Sequence, residues 1–418
     1  MAETAGLSPA TVSEGELPPG GWEVVRLGDV AAVRYGKAKP RAAGRVPVIG
    51  SGGIFGWTDR PLVDFPTVVV GRKGAAGEAW LAEDGCWPTD TTFYLEWRRP
   101  VDAAFVFHFL RLHKPSGQHA QTTLPSLQRQ DVENLELPLP PLGEQRAIAR
   151  VLRTVQLAKV ATERVIAATR ELKKSLMRHL FTYGPVPLQE AGRVPLKETE
   201  IGPVPEHWEI VRLGDIADLL SGGTPSRARA DWWEGPIPWA SPKDLKRSRL
   251  RSTIDHVSEE AARSGSHVAP SGTIFVVIRG MILAREIPLA LIDVPMAFNQ
   301  DIKAITPHVG VDSVFLLYAL EWNKRSLARQ RGTSAHGTRR LSSSSVAYRE
   351  VGLPPPGEQK RIAEALTAVD RKIKTEDGLK QALEALFDSL LHNLMTGKVR
   401  VGQAETPASK AEEAEIWR

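Results

Sequence analysis

The sequence predicts a mixed α+β chain written as two tandem copies, each a globular part followed by one long helix. Three observations carry that prediction. WEVVRLGDVA, beginning at Trp22, returns 186 positions later as WEIVRLGDIA, beginning at Trp208, with two Val/Ile exchanges in ten residues. PLPPLGEQRAIARVL, beginning at Pro138, is answered in the same order by LPPPGEQKRIAEAL, beginning at Leu353, with the GEQ triplets of Gly143 and Gly357 214 positions apart. After each GEQ the apolar residues take helical spacing: Ile148, Leu152, Val155, Val165, Ile166, Leu172, Leu176 and Leu180 in the first copy, and Ile362, Leu366, Val369, Ile373, Leu379, Leu383, Leu386, Leu390 and Leu394 in the second.

In chain order, residues 1–20 read as a mobile arm and 21–142 as the first globular domain. Its short β-branched runs such as PTVVVG, its Gly-rich turns and its helical stretch AAFVFHFLRLH make it mixed α and β. A helix follows over 143–183, a Pro-rich connector over 184–206, the second globular domain over 207–356, a second helix over 357–397 and a mobile tail over 398–418. Prolines precede both helices, and Gly184 and Gly397 stand at their ends as stop signals. Each helix of roughly 38 residues is about 57 Å long at 1.5 Å per residue. Their apolar seams, with Leu152, Leu172, Leu176, Leu366, Leu383, Leu386 and Leu390 as the pairing residues, predict that the two helices pack on each other as a coiled coil. Length carried twice suits a spacer; burial of each helix against its own domain is the alternative.

Between the landmarks the second copy has 28 extra residues. If VVVGRKG matches FVVIRG with Arg72 on Arg279, the offset there is already 207, so most of the insertion lies between the Trp motif and that arginine. One part of each repeat is held and the other varies.

The 418 residues with 42% hydrophobic content suit two to four soluble domains. No run of about 18 apolar residues predicts a membrane span, and the acidic N-terminus lacks the apolar core of a signal peptide, so cytoplasm is the expected location. Cys86, the single cysteine, is expected to be a small core residue. The net charge of +5 points to an anionic partner. Its distribution says more: Gly143 to Leu180 carries nine Lys and Arg against three Asp and Glu, while Gly357 to Thr396 carries six against seven. Trp208 to Pro356 carries nineteen against fifteen, with KDLKRSRLR from Lys243 its densest cluster, which fits either a solvated loop or a phosphate-contacting one.

No catalytic chemistry is visible. GSGGIFG at Gly50 is one glycine out of step for a dinucleotide fingerprint, and GRKGAAGE at Gly71 lacks the Gly-Lys-Ser/Thr ending of a P-loop. Neither an Asn/Asp-Pro-Pro-Tyr/Phe methyltransferase run nor a zinc-like His or Cys spacing occurs. What the globular parts offer is Gly-framed basic, amide and hydroxyl side chains. In the first copy these are Tyr35, Lys37, Arg72, Lys73, Gln121, Thr122, Thr123 and Gln128; in the second, Thr224, Arg227, Lys243, Lys246, Arg247, Arg279, His336 and Arg339. Arg and Lys reach guanine O6 and N7, amides pair with adenine, and hydroxyls serve phosphates or bases, so the set suits DNA; singly, each is equally a turn or surface residue.

The whole pattern, Trp-x-x-x-Arg-Leu-Gly-Asp, a variable domain, then PPLGEQ or PPPGEQ and a long helix, resembles the specificity subunit of type I restriction-modification enzymes over about residues 17 to 400. IPWASPKDL and SGGTPSR in the second copy, and VVVGRKGAAG followed by WPTDTTFYL in the first, resemble phrases of that family's target recognition domains. The resemblance implies a noncatalytic subunit with a pseudo-twofold repeat, in which each domain reads one half of a bipartite DNA target. It also implies that the two helices pair antiparallel, separate the domains and dock two methyltransferase subunits, with restriction subunits joining through the complex. S-adenosylmethionine, Mg2+ and ATP would then belong to the partners, and this chain would hold no cofactor. Readers joined by helices of about 57 Å can reach major grooves roughly 34 to 36 Å apart. Since GQHAQTTLPSLQRQ and RGTSAHGTRRLSSSS differ, with TLPSL in one and TRRL in the other, the half-sites should differ too. Against this stand an enzyme that modifies DNA by itself and a coiled-coil scaffold that binds no DNA; the scaffold predicts no salt-sensitive binding to duplex.

Overall fold

The computed structural model describes residues 20–41, 43–117, 126–324, 332–333 and 339–401. Nearly all of the expected N-terminal arm and most of the tail lie outside these described residues. The chain forms two compact units, Met1–Arg164 with Gly378–Arg418, and Val165–Asp377.

In the first unit, the strand opened by the Trp motif, Glu23–Arg26, pairs antiparallel with Glu136–Leu139, the strand that leads into the first long helix. The two repeated phrases are therefore hydrogen-bonded neighbours. Side chains complete the joint: Trp22 Nε1 donates to Glu144 Oε2 (3.1 Å), and Gln145 accepts from the Asp102 backbone N–H (2.9 Å) while donating to the Pro140 carbonyl (2.8 Å). Asp102 in turn caps the helix Ala103–Leu112 by accepting from Phe105 N. Glu144 and Gln145 are both buried, so each polar group of the GEQ phrase finds its partner inside the joint.

Beyond the joint lie two sheets. The larger runs in the order Ala31–Tyr35, Thr92–Trp97, Thr67–Gly71, Ala79–Ala82, all antiparallel. The smaller has Val46–Gly50 at its centre, antiparallel to Gly53–Thr58 and parallel to Trp87–Pro88. The core gathers Trp22, Leu27, Phe93, Phe105, Phe109, Ile148 and Leu152 with Phe387, Leu391 and Leu394 from the end of the last helix. Cys86 is buried in a small separate cluster, and burial pushes its thiol up to about 12.

The second unit repeats the joint. Glu209–Arg212 pairs with Glu350–Leu353, Trp208 Nε1 donates to Glu358 Oε2 (3.0 Å), and Gln359 accepts from Asp312 N (2.8 Å) and donates to the Pro354 carbonyl (2.9 Å). Its larger sheet runs Ala217–Ser221, Ile302–Pro307, Ile274–Val277, Leu289–Ile292, Arg249–Leu250, and its smaller one Asp255–Val257, Ile237–Ala240, Met296–Phe298, Val268–Ala269. Relative to the first unit these sheets each gain an edge strand, Arg249–Leu250 and Val268–Ala269, and the helix Glu259–Gly265 lies in the chain between them.

The long helices run Leu142–Tyr183 and Pro356–Met395, 42 and 40 residues. Gly184 and Gly397 follow them at φ +78° and +69°, the left-handed backbone that glycine adopts without strain. The helices pack antiparallel. In the first unit Lys159 pairs with Glu384 (3.7 Å) and Glu163 with Lys380 (3.0 Å); in the second Arg170 pairs with Asp377 (3.3 Å) and Lys173 with Asp370 (2.7 Å). Leu152 and Leu366 are fully buried, and Leu176, Leu383 and Leu390 are half-buried. Leu172 and Leu386, expected in the seam, are instead 57% and 46% exposed. The reason is one step of helical phase: the inward position beside Leu172 belongs to Lys173, held by Asp370 and Glu321 (3.4 Å), and beside Leu386 to the buried Phe387. An apolar pattern does not reveal an ion cluster in a seam.

Candidate nucleic-acid interface

In the first unit the GRKG loop leaves the buried strand Thr67–Gly71 and is fixed on both sides. Arg72 N donates to the Thr91 carbonyl (2.9 Å), Leu127 N donates to the Arg72 carbonyl (2.8 Å), and Lys73 forms a β-bridge with Ser126. A Cβ on Gly71 would stand 2.2 Å from the Ala75 carbonyl oxygen, so only glycine permits this close turn. The Arg72 guanidinium donates to the Asp90 carbonyl (2.9 Å) and lies 5.4 Å from the Tyr35 ring and 5.9 Å from that of Phe93. Such a cation held against aromatic faces is pre-aimed. Tyr35 is half exposed, and Lys37, exposed beside it, is fixed through its backbone, whose N–H donates to Pro88 and whose carbonyl accepts from Trp87 Nε1. Gln128 starts the short helix Arg129–Glu133, its backbone N–H bound by Asp131, with its side chain exposed. Gln121, Thr122 and Thr123 lie outside the described residues.

In the second unit the matching loop pairs Arg279 with Arg340 and Gly280 with Arg339. The hydrogen bonds correct the sequence alignment by one residue. Ile278 N donates to Asp301 O and Leu341 N donates to Ile278 O, as Arg72 N does to Thr91 O and Leu127 N does to Arg72 O. Arg279 therefore corresponds to Lys73, and the place of Arg72 is taken by the buried Ile278. Where the first unit sets Tyr35 opposite Phe93, the second sets Ser221 opposite Lys303, whose ammonium donates to Ser221 Oγ (2.8 Å). Burial holds that amine below the usual lysine range. Lys303 is the cation that sequence reasoning missed; the strand alternation of IKAITP, with a lysine where a core residue belongs, was its only signal.

Around it, Thr224 Oγ1 donates to Gln300 (2.6 Å), and Arg279 stands 3.8 Å from Asp301. Arg227 lies 3.3 Å from the Trp233 ring centroid and also pairs with Asp255 (3.4 Å), which Lys243 reaches at 3.7 Å. The basic cluster divides. Arg249 and Arg251 both close on Asp293, holding its carboxyl below the usual range against the opposing effect of burial, whereas Lys246 and Arg247 are exposed with no acidic partner among the described residues. Arg339 is half-buried in its strand, and His336 lies outside the described residues. Among the described residues no group of three or more His, Cys, Asp or Glu is placed to hold a metal ion, and no helix is long and apolar enough to cross a membrane.

Two copies of one frame thus present two unlike cation-bearing faces, the arrangement of a duplicated binding protein. The chain belongs to the type I restriction-modification DNA specificity family, whose domain matches residues 19–169 and 205–385. It is 26% identical over 411 residues to the type I restriction enzyme MjaVIII specificity subunit of Methanocaldococcus jannaschii, covering 92% of this chain and 94% of that one. It is 33% identical over 175 residues to the EcoR124I/EcoR124II specificity subunit of Escherichia coli, covering 41% and 43%. The crystal structure of a type I restriction-modification S subunit from M. genitalium shares the fold, with a TM-score of 0.61 over 93% of this chain and 99% of that one at 17% identity. The chain is thus a type I specificity subunit and is itself noncatalytic.

Proposed function

We propose that residues 21–142 and 207–356 each read one half of a split, asymmetric DNA target. The observation that carries this reading is the change of cation within a constant frame: Arg72 beside Tyr35 and Phe93 in one unit, Lys303 beside Ser221 in the other. Different donors offered from different places in one frame read different bases. In the first half, Tyr35, Lys37, Arg72, Lys73, Gln128 and, from outside the described residues, Gln121, Thr122 and Thr123 contact the DNA. In the second, Thr224, Lys243, Lys246, Arg247, Arg279, Arg339 and His336 do so, while Arg227 serves mainly to stiffen the loop through Trp233.

Each unit also supports docking of one methyltransferase subunit on its helix pair, where apolar side chains stand outward: Leu157, Leu379 and Leu386 in the first, Val165 and Leu172 in the second. S-adenosylmethionine, Mg2+ and ATP belong to those subunits and to the restriction subunits that join them.

Base-resolution mapping of adenine methylation, in cells carrying the methyltransferase with and without this chain, tests the reading. A split, asymmetric motif that appears only with the chain is the expected result; no new motif with a methyltransferase active beside another specificity subunit overturns it.

A further inference from the structure

The hairpin of Val46–Gly50 and Gly53–Thr58 presents an apolar tip that none of the residues above explains. Its strands join through Ser51 and Gly52, with a register shift between Val48 and Ile49. Ile54, Phe55 and Trp57 are 58%, 59% and 54% exposed. Large side chains left in water at adjoining positions call for a partner surface. The tip shares its footing with Arg72. Phe55 lies over Gly50, where a Cβ would meet its ring at 2.9 Å with Thr89 Oγ1 next at 3.6 Å, and Thr89 bonds Thr91, whose carbonyl anchors Arg72. Ser51 in turn stands against Gly71 and Gly74, the two ends of the GRKG loop.

The surroundings are basic. The Lys39 ammonium sits 5.2 Å from the Phe55 centroid, the exposed Lys37 is tied through its backbone to Pro88 in the strand paired with Val46–Gly50, and Lys73 N donates to the Thr91 carbonyl. A cation set against an apolar tip matches a polyanion that also has apolar spots within it, which is the character of a DNA major groove: phosphates at the rims, thymine C5-methyl groups on the floor. That groove admits a two-stranded ribbon. The second unit differs here: the strand Ile237–Ala240 pairs with Asp255–Val257, and among the described residues its exposed large apolar side chain is a lone Ile254, with no exposed aromatic ring beside it.

We propose that this hairpin enters the major groove of the half-site read by the first unit and packs Ile54 and Phe55 on thymine methyl groups, giving that half-site an apolar readout the other lacks. The proposal rests on the reading function proposed above and adds residues and a ligand group to it.

The test replaces thymine by deoxyuridine, which removes only the methyl group, in one half-site at a time. Affinity is measured on the assembled specificity–methyltransferase complex for wild type, Phe55→Ala and Phe55→Leu. Wild type is expected to lose roughly fourfold per contacted methyl, the worth of one buried CH2-sized group, in one half-site only. Phe55→Ala is expected to bind more weakly and to lose most of that sensitivity, and Phe55→Leu, which keeps an apolar tip, to retain it. Equal sensitivity in wild type and Phe55→Ala, or none in wild type, overturns the proposal while specific binding keeps the reading function intact. Failure of the wild-type complex to prefer its target over random DNA sinks both. Loss of methyltransferase assembly in Phe55→Ala with unchanged DNA affinity of the complex that does form reassigns the tip to a protein partner.

Discussion

The two units use the same hydrogen-bond ladder to present different chemistry. At one position of the larger sheet the first unit sets the Tyr35 and Phe93 rings tilted against each other at 5.0 Å and lays Arg72 across both; the second unit pairs Ser221 with a buried Lys303 and fills the arginine's place with Ile278. The cation stays and its source moves from the loop to the neighbouring strand. Backbone pairing fixes where a charge can be offered, and side chains decide how far it reaches: a guanidinium on aromatic faces projects, whereas a buried ammonium acts mainly through its field.

The largest test of this equivalence concerns the frame. Leu152 and Leu366 occupy matching positions and are both fully buried. Leu152→Ala and Leu366→Ala are each expected to cost about 2–5 kcal/mol in chemical denaturation; a marked inequality between them would break the symmetry of the joints.

A second difference lies in the helices packed on the sheets, where His108 of the first unit matches Tyr318 of the second. Burial, with Arg111 nearby, holds the His108 imidazole at about 4, below its ordinary 6.5. As pH falls the unfolded chain therefore takes the proton first, so stability declines from about pH 6.5 to pH 4, by roughly 2–3 kcal/mol, and is unaffected above that window. Burial and then Asp370 push the Tyr318 phenol above its ordinary 10.0, so the second unit instead loses stability as pH rises past 10. Denaturant melts of wild type and His108→Phe at pH 7 and pH 4.5 check this, since the acid loss should vanish in the variant.

The reading faces themselves come next. Arg72→Ala should weaken binding at one half-site by about 1–3 kcal/mol, and Lys303→Met should act on the other half-site alone. An equal loss on every DNA sequence reassigns Arg72 to phosphates, and an unchanged affinity in Lys303→Met reduces that lysine to a partner of Ser221. Smallest is the outward face of the helices: Leu386→Glu should alter folding stability by no more than about 0.5 kcal/mol while weakening assembly with the methyltransferase, measured by sedimentation of the mixed subunits.

Much of the frame is legible in the sequence because its signals are local. Duplicated phrases, proline starts and glycine stops lie next to the elements they govern, and the antiparallel helix pair follows the expected fold. What escaped is set by register. The letters match Arg72 to Arg279, an arginine after a β-branched run, yet strand pairing makes Lys73 the equivalent of that arginine. The KDLKRSRLR cluster reads as one patch, but Asp293, more than forty residues on, withdraws Arg249 and Arg251 from it. Leu172 and Leu386 fit an apolar seam that is partly ionic. The exposed tip at Phe55 lies in GSGGIFG, which reads in the sequence only as a glycine run out of step for a dinucleotide fingerprint.

The joint of Trp22, Glu144 and Gln145, repeated in Trp208, Glu358 and Gln359, also has a consequence for inheritance. The reading faces that differ are strung between two strands, and what the joint takes from the interior, the backbone N–H of Asp102 or Asp312, is the same in both units. Exchange of the interior between Arg26 and Glu136 for that between Arg212 and Glu350 would keep both sockets closed. Such a chain can acquire a new vocabulary by cassette, in a single crossover at each phrase, without relearning how to fold.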